Sequence, residues 1–536
     1  MNILSQKHLK FSTLALAGAM STTLILGGCG DKDKPKNAEI KKIEKVATRK
    51  VDNAEAERAL TALSLNEPGS GALSWAKRTG DSGNYTYTDV VVKSGKDADI
   101  KIAKMELLGA HMQGEQASFD KIQFQNFTVV GEDDKGDLSF GTVSLVKPSP
   151  ALAAGMVDLF AGNKDAFDNI DGDIGFQALS FTDMKASSDD SNFSVKSMSM
   201  GEAKDKTGVF SIANLKLDVK PGDDDNDNSD DKGFVKMTLG GFDVTGANLK
   251  KYKGLMTETM AGGKGANADA LANIISSMNV YDPDFKSINL RDLDIDADGL
   301  KVALKSYQAS ADKKNGIVTM SQKMSPLSII PPKDGRLLGQ KKMSKVLSSM
   351  GYDRFEFTMG GKSIMNEEAD TLKAYDNYIE MRDGFRFSYD MDIKGYKAFT
   401  EQAVAAQAGG SMKNPMVAMG MANALQINKM RFAFRDDSIV DRYFKMTAEE
   451  QKTTPEALKQ KIKDTLGMMS MGAQDESQQK LANELQEAVT SFLDGGGTLV
   501  LDISPAEPLN PGSFAMGAMM GGAPDIAALG ITISHQ

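Results

Sequence analysis

The sequence predicts an α+β protein whose β-rich part consists of repeated antiparallel hairpins that form an extended sheet or groove. Two observations support this prediction. An eleven-residue pattern of alternating apolar residues recurs between residues 119 and 295, and helical spacing dominates after about residue 395. The hydrophobic share of 41% and the charged share of 25% are those of a folded protein. We therefore expect helical inserts in the β-rich part and a mostly helical C-terminal region.

The repeated pattern occurs three times in the β-rich part. Residues 119–129, 176–186 and 285–295 share the frame F-x-x-[IL]-x-[FL]-x-[ND]-[FML]-x-[VAI]. Every second residue in each copy is apolar, as in a β-strand with one apolar face, and this alternation shifts phase once in the middle. We expect a β-bulge at the shift, because a bulge inserts one extra residue into one strand of a pair.

Each copy continues through a polar turn into a second strand. These second strands are expected at residues 138–145, 193–200 and 302–309, after turns rich in Asp, Gly and Ser. A single hairpin is marginally stable in water. The hairpins are therefore expected to stack, or to pair edge to edge, in an extended sheet.

Helical signals flank and interrupt the hairpins. Residues 38–65 contain no proline or glycine and place apolar residues at helical spacing, which predicts a spacer helix. Ser149-Pro150 combines a capping residue with a first-turn proline, and residues 250–279 form a further expected insert. The expected domains are a signal peptide, a tether with the spacer helix, a hairpin domain and an α+β C-terminal region. They cover residues 1–28, 29–66, 67–335 and 336–536.

The first thirty residues have the features of an export signal. Lys7 and Lys10 precede an apolar run over residues 11–26, which ends in Leu-Gly-Gly-Cys29. This ending resembles the lipobox of bacterial lipoproteins. The resemblance implies that residues 1–28 are removed and that the Cys29 sulfur carries a diacylglycerol. Cys29 is the only cysteine, so it has no partner for an internal disulfide.

A lipid on Cys29 implies attachment to a membrane of the cell envelope. Acyl chains hold a protein firmly when more than one chain is buried in the bilayer. Gly30 follows the cysteine, whereas lipoproteins that stay at the inner membrane tend to have Asp in that place. The resemblance therefore favours an outer-membrane lipoprotein that faces the periplasm.

Residues for catalysis are scarce. Of the three histidines, His8 lies in the expected signal peptide and His535 is the penultimate residue, so only His111 lies inside the chain, and we expect it on a strand surface. The chain therefore has too few histidines and cysteines for a histidine-based catalytic triad or a His/Cys metal site. We expect neither an enzyme nor a cofactor. The sequence pI near 5.2 argues against a nucleic-acid partner.

One aspartate run resembles the start of a calcium-binding loop. Asp294, Asp296 and Asp298 have the spacing of an EF-hand, but Lys305 stands where the loop needs its bidentate glutamate. The repeat pattern assigns the same aspartates to the outward face and turn of the third hairpin. We therefore expect no metal at this place.

The strands of the repeat resemble those of the AsmA and YdgA-like envelope proteins over residues 100–310. In those families a transmembrane helix usually stands where this chain has a lipobox. The resemblance to AsmA implies a role in lipid traffic and outer-membrane maintenance. We expect the chain to bind a phospholipid, a fatty acid or another apolar ligand, because 32 methionines suit a deformable apolar surface. The candidate groove residues are Phe119, Phe124, Phe176, Phe181, Phe285 and Leu290.

A second function remains open from the sequence. The same hairpins would suit a non-catalytic scaffold lipoprotein that captures other envelope proteins at its sheet edges. The two functions differ in where the apolar residues of the repeat point. A groove open to solvent favours a lipid ligand, whereas a closed core favours a scaffold.

Overall fold

The structure is a computed structural model. It describes residues 49–93, 98–131, 137–163, 166, 175–188, 190–203, 205–220, 234–248, 283–332, 338–408, 415–471, 475–514 and 527–536. Cys29 and the expected signal peptide lie outside these residues, as does the expected insert over residues 250–279. By packing, the described elements up to Asp298 form one compact unit, and those from Gly299 to Gln536 form a second. The sequence instead predicts a domain boundary after residue 335, because the repeated hairpins end before it.

The first unit is built mainly from long strands. Its described helices are α1 (Asn53–Ala62) and α2 (Pro150–Ala161). Its described strands are β1 (Leu73–Ser74), β2 (Lys77–Asp81), β3 (Asn84–Lys93), β4 (Ala98–Leu108), β5 (His111–Gln113), β6 (Gln116–Ser118), β7 (Lys121–Gly131), β8 (Asp137–Pro148), β9 (Phe176–Ser187), β10 (Ser191–Glu202), β11 (Gly208–Val219), β12 (Val235–Ala247) and β13 (Ser287–Ala297).

The strands of the first unit form an antiparallel meander. Strands β1 and β2 both pair with β3, and the sheet continues in the order β3, β4, β7, β8, β9, β10, β11, β12, β13. The short strands β5 and β6 pair only with each other. The first two predicted hairpins are confirmed as β7–β8 and β9–β10.

The predicted phase shift is present, but the predicted bulge is wrong. The central Asn or Asp of the three copies has a positive φ: 51° at Asn126, 49° at Asp183 and 50° at Asp292. The sheet keeps its register across this residue; Asp183, for example, lies between the pairs Thr182–Ser197 and Met184–Val195. A left-handed residue therefore changes the phase without an insertion. Asn and Asp are the side chains that tolerate this conformation best.

Helix α1 belongs to the core of the first unit. It begins after Asp52, whose Oδ1 accepts a hydrogen bond from the Ala54 N–H at 2.9 Å. Ala56, Ala59 and Leu60 on α1 are fully buried in the same hydrophobic cluster as Tyr87. The expectation of a spacer helix is therefore wrong for α1, because its apolar face packs into the core.

The second unit combines another meander with helices. Its described strands are β14 (Leu300–Lys314), β15 (Ile317–Ile330), β16 (Phe355–Asn366), β17 (Thr371–Met381), β18 (Phe385–Lys394), β19 (Gln426–Asp436), β20 (Gly497–Ile503) and β21 (Ile531–His535). Its described helices are α3 (Leu338–Ser349), α4 (Tyr396–Ala408), α5 (Pro415–Ala424), α6 (Ile439–Gln451), α7 (Pro455–Met471) and α8 (Glu476–Gly495).

Each strand of this meander pairs antiparallel with the next, from β14 to β21. The α+β class and the extended antiparallel sheet are thus confirmed. The mostly helical C-terminal region is confirmed only in part, because strands β16 to β21 also lie after residue 336. Strand β14 is the second strand predicted for the third copy. Asp298 and Gly299 separate it from β13, and both have a positive φ, as a tight turn requires.

Candidate ligand-binding face

One face of the sheet in the first unit is apolar across nine strands, from β3 to β13. Cross-strand neighbours on this face form four rows, A to D, in which the described side chains are apolar or aromatic. Rows A and B lie on one side of the left-handed residues, and rows C and D lie on the other. The register that defines the rows follows from eight consecutive strand pairings.

The rows have the following members in strand order. Row A is Tyr85, Leu107, Ile122, Leu145, Leu179, Met200, Phe210, Val244 and Ile288; row B is Tyr87, Met105, Phe124, Val143, Phe181, Met198, Ile212, Phe242 and Leu290. Row C is Val90, Ile102, Phe127 and Phe140 in β3 to β8, and Met184, Val195, Leu215, Leu239 and Leu293 in β9 to β13; row D is Val92, Ile100, Val129, Leu138, Ala186, Phe193, Leu217, Met237 and Ile295.

Left-handed residues keep the four rows on one face. They occur on every second strand and form a kink line across the sheet, made of Asp89, Asn126, Asp183, Asn214 and Asp292. In an ordinary strand, residues three apart point to opposite faces. Across Asn126, however, the rings of Phe124 and Phe127 lie 6.4 Å apart. The kink line therefore joins rows A and B to rows C and D as one continuous apolar face.

Two of the strands between the kinked ones, β8 and β12, provide glycines opposite the kink line. A Cβ added at Gly141 would lie 3.0 Å from the Asp183 Cβ, and one added at Gly240 would lie 2.9 Å from the Asp292 Cβ. Both distances are shorter than ordinary van der Waals contact. Glycine at these positions therefore lets neighbouring strands approach the left-handed aspartates.

One end of the apolar face is closed by a hydrophobic core. Strands β3, β4 and β7 pack there with residues of α1, α2 and β6. Tyr87 is fully buried, its hydroxyl donates to the Leu65 carbonyl oxygen at 3.1 Å, and burial raises the pKa of its phenol. Phe119, 1% exposed, lies in the same core. Its assignment to an open groove is therefore wrong, because this ring packs inside the protein.

The apolar face is more open toward β9 to β13. Most side chains of rows A and D are half-buried there, whereas row C, next to the kink line, includes Val195 and Leu239 at 3% exposure each. Burial is thus deepest beside the kink line, and most apolar side chains of rows A and D stay half-buried. We name the part of this face on β9 to β13 the open apolar face.

The other predicted groove residues take different places on this face. Phe124 and Phe181 are half-buried members of row B, and the Phe181 ring lies 5.7 Å from that of Phe140. Phe176 is half-buried at the start of β9, against the closed core. Phe285 is half-buried just before β13. Leu290 is 7% exposed in row B. The structure thus brings Phe124, Phe181 and Leu290 into one row, while Phe176 and Phe285 lie outside the four rows.

The opposite face of the same sheet is polar. One of its rows is Thr86, Glu106, Gln123, Ser144, Ser180, Ser199, Ser211, Asp243 and Asn289. The buried Asp243 carboxylate accepts a hydrogen bond from the Ser211 hydroxyl at 2.6 Å and lies 3.0 Å from the Arg291 guanidinium. A buried carboxylate needs such partners, because an unpaired charge is costly away from water. The sheet is therefore strongly amphipathic, and its chemistry suits binding of apolar groups on one side only.

The structure corrects one further expectation about chemistry. His111 is 6% exposed in β5, and its Nδ1 lies 2.8 Å from the Gly109 carbonyl oxygen, so it is buried and not on the surface. Asp298 Oδ1 accepts a hydrogen bond from the Phe234 N–H at 2.9 Å, in keeping with its place in a turn. Within the described ranges, no three His, Cys, Asp or Glu side chains cluster as metal ligands would.

Comparison with known proteins adds little to this picture. A family model described as "Uncharacterized protein" matches residues 378–536, which lie in the second unit. No curated protein matches the chain. Among the described helices, none combines the length and the hydropathy that crossing a bilayer requires.

Proposed function

We propose that this chain is a periplasmic lipoprotein, held in the outer membrane by a lipid on Cys29, that binds a lipid or another apolar ligand in envelope maintenance. The observation that carries the proposal is the open apolar face of the first unit, where four apolar rows run across β9 to β13 and most side chains of rows A and D are half-buried. Sites for small apolar ligands are mostly apolar and largely preformed. Half-buried methionine and phenylalanine side chains in rows A and B supply adaptable contacts of this kind.

A scaffold without a ligand is the alternative function. The deep burial of row C supports it, because Leu215, Leu239 and Leu293 are 3–5% exposed and pack as a closed core would. A scaffold would use the polar face or the sheet edges for other envelope proteins. The half-buried rows A and D favour the lipid ligand over this alternative.

The lipid-binding proposal is tested on residues 30–536 secreted into the periplasm behind a cleavable signal peptide, so that the protein lacks its anchor. Native mass spectrometry with lipid extraction should find a phospholipid or a fatty acid at stoichiometric amounts. An apo mass that stays unchanged after mixing with phospholipid vesicles would contradict lipid binding and favour the scaffold.

The anchor is tested separately on the full-length chain. Cells fed radiolabelled palmitate should label the wild-type protein, and Cys29→Ala should abolish the label, because the sulfur is the expected attachment atom. Equal labelling of the two proteins would show that Cys29 does not carry the lipid.

A further inference from the structure

The second unit contains an apolar groove that neither the repeats nor the proposed function uses. Its volume is about 430 Å³, within the range of small-molecule sites, and its ten lining residues are all apolar or aromatic. Eight of them lie on helices α6, α7 and α8, and Met350 together with Leu499 of β20 completes the lining. Phe492 on α8 is 7% exposed, and its ring packs edge-on against that of Phe434 at 6.0 Å. The deep side of the groove is thus held by the sheet.

The mouth of the groove exposes apolar side chains to water. Tyr443 on α6 is 52% exposed and Ile462 on α7 is 38% exposed, although both line the groove. Phe444, the neighbour of Tyr443, is only 6% exposed. Apolar surface therefore continues from the buried interior to the opening, as a site for an elongated apolar molecule requires.

Two lysines border this mouth. Lys459 Nζ lies 2.8 Å from Asp441 Oδ1 and 5.7 Å from the centre of the Phe444 ring. Lys463, one helical turn further along α7, lies 2.5 Å from Asp494 Oδ1. Asp441 and Asp494 directly follow the groove residues Val440 and Leu493 in the chain. The Lys459 ammonium group therefore lies beside the apolar lining, and Lys463, four residues on, lies on the same face of α7.

The present partners of these lysines can be displaced. The side chains of Asp441 and Asp494 are 63% and 60% exposed, whereas those of Lys459 and Lys463 are 21% and 20% exposed. Ion pairs with such exposed partners contribute little to stability. A ligand carboxylate can replace either aspartate at little cost, because the freed aspartate returns to water.

We propose that this groove binds a long-chain fatty acid, with the chain against Phe444 and Phe492 and the carboxylate at Lys459 and Lys463. Charge complementarity selects this occupant: the apolar lining adjoins two lysines whose exposed aspartate partners can be exchanged for the one anionic end of an apolar tail. An apolar helix from a second copy or another protein offers no carboxylate for this exchange. The inference does not depend on the open apolar face of the first unit, and the two are tested separately.

The test measures binding of palmitate and of hexadecanol to the secreted chain of residues 30–536. The double variant Lys459→Ser with Lys463→Ser should weaken palmitate binding about tenfold or more, because charge-assisted contacts are lost. Hexadecanol has the same tail without the carboxylate, so its affinity should stay unchanged. Lys461→Ser is the matched control, since Lys461 is exposed on the same helix, and should leave both affinities unchanged.

A photoreactive palmitate on the wild-type protein locates the site without relying on a variant. Cross-links should fall in α6, α7 and α8, and Ile462→Asp should remove them. Cross-links confined to the first unit would overturn this inference and would leave the open apolar face as the candidate ligand site. Equal palmitate affinity in the double variant would also overturn it. So would a dimer that Ile462→Asp abolishes, because the groove would then hold a second copy.

Discussion

The two units of this chain build similar antiparallel meanders but change the phase of their apolar residues differently. In the first unit a left-handed Asn or Asp does so while the register is kept, as at Asp183. In the second unit the register itself shifts, between Met324 and Leu327 and again between Gly360 and Lys362. The left-handed Asp376 of this unit lies within a further shift, between Ala374 and Asn377. A left-handed Asn or Asp at the same position of each repeat produces a recurring sequence pattern. Register shifts at varying positions produce no such pattern, and the sequence repeats largely end where the second unit begins.

Replacing a glycine by alanine should have the largest effect on stability, and the effect should differ between a register shift and the kink line. A Cβ at Gly361, in the bulged part of β16, would lie 2.0 Å from the buried Asn377 Oδ1. Gly361→Ala should therefore lower the free energy of unfolding by about 3 kcal/mol or more, through strain and overpacking. Gly141→Ala, beside the kink line, should cost only about 1 kcal/mol, because its nearest contact is 3.0 Å away. Urea denaturation measures the free energy of unfolding of both variants. An equal loss in the two would contradict the difference between the register shift and the kink line.

How far the sequence predicts the fold depends on which forces are local. The hairpins β7–β8 and β9–β10 were predictable, because alternation and turn residues act within a few positions. The bulge expected at Asn126 was wrong, since spacing alone cannot distinguish an inserted residue from a left-handed one. The burial of Phe119 depends on α1 and α2, and both helices lie far from Phe119 in the sequence. No local pattern around Phe119 therefore reveals its burial.

The candidate sites show the same limit. Phe124, Phe181 and Leu290 were predictable as one row, because they occupy equivalent positions of the repeat. The groove between α6, α7 and α8 was missed, because it exists only once three helices pack on β20. The signal available in the sequence was the helical spacing of apolar residues near Tyr443 and Ile462, which reads equally well as ordinary core.

A substitution at the kink line should have the next largest effect. Asp183→Val places a β-branched residue at a φ of 49° and should cost about 1–3 kcal/mol. Asp183→Asn should be nearly neutral, because Asn tolerates the left-handed region as well as Asp does. Thermal unfolding of both variants checks this. If Asp183→Val were as stable as Asp183→Asn, the left-handed residue would not be what maintains the apolar face.

Titration of Tyr307 should give a smaller effect in the second unit. Tyr307 pairs across the sheet with Met324, the residue at which β15 shifts its register against β16, and its hydroxyl donates to the Gln322 Oε1 at 3.1 Å. Burial raises the pKa of its phenol to about 12. The unfolded chain loses this proton first, so Tyr307 lowers the free energy of unfolding as pH rises from 10 to 12, by about 1–2 kcal/mol.

The variant Tyr307→Phe isolates this contribution. Urea midpoints of the wild-type protein and the variant should differ by a constant amount below pH 10, and the difference should change steadily between pH 10 and 12. A difference independent of pH over the whole range would mean that the phenol is not buried at the register shift.

The most direct test of the account compares lipid carried by two variants that differ by one position on β10. Met198 lies in row B of the apolar face, whereas Ser197 lies on the polar face of the same strand, and both are half-buried. In the anchor-free chain, native mass spectrometry should find that Met198→Glu loses the co-purifying lipid while Ser197→Glu keeps it. Circular dichroism should show both variants folded. Equal lipid content in two folded variants would contradict the assignment of ligand binding to the apolar face.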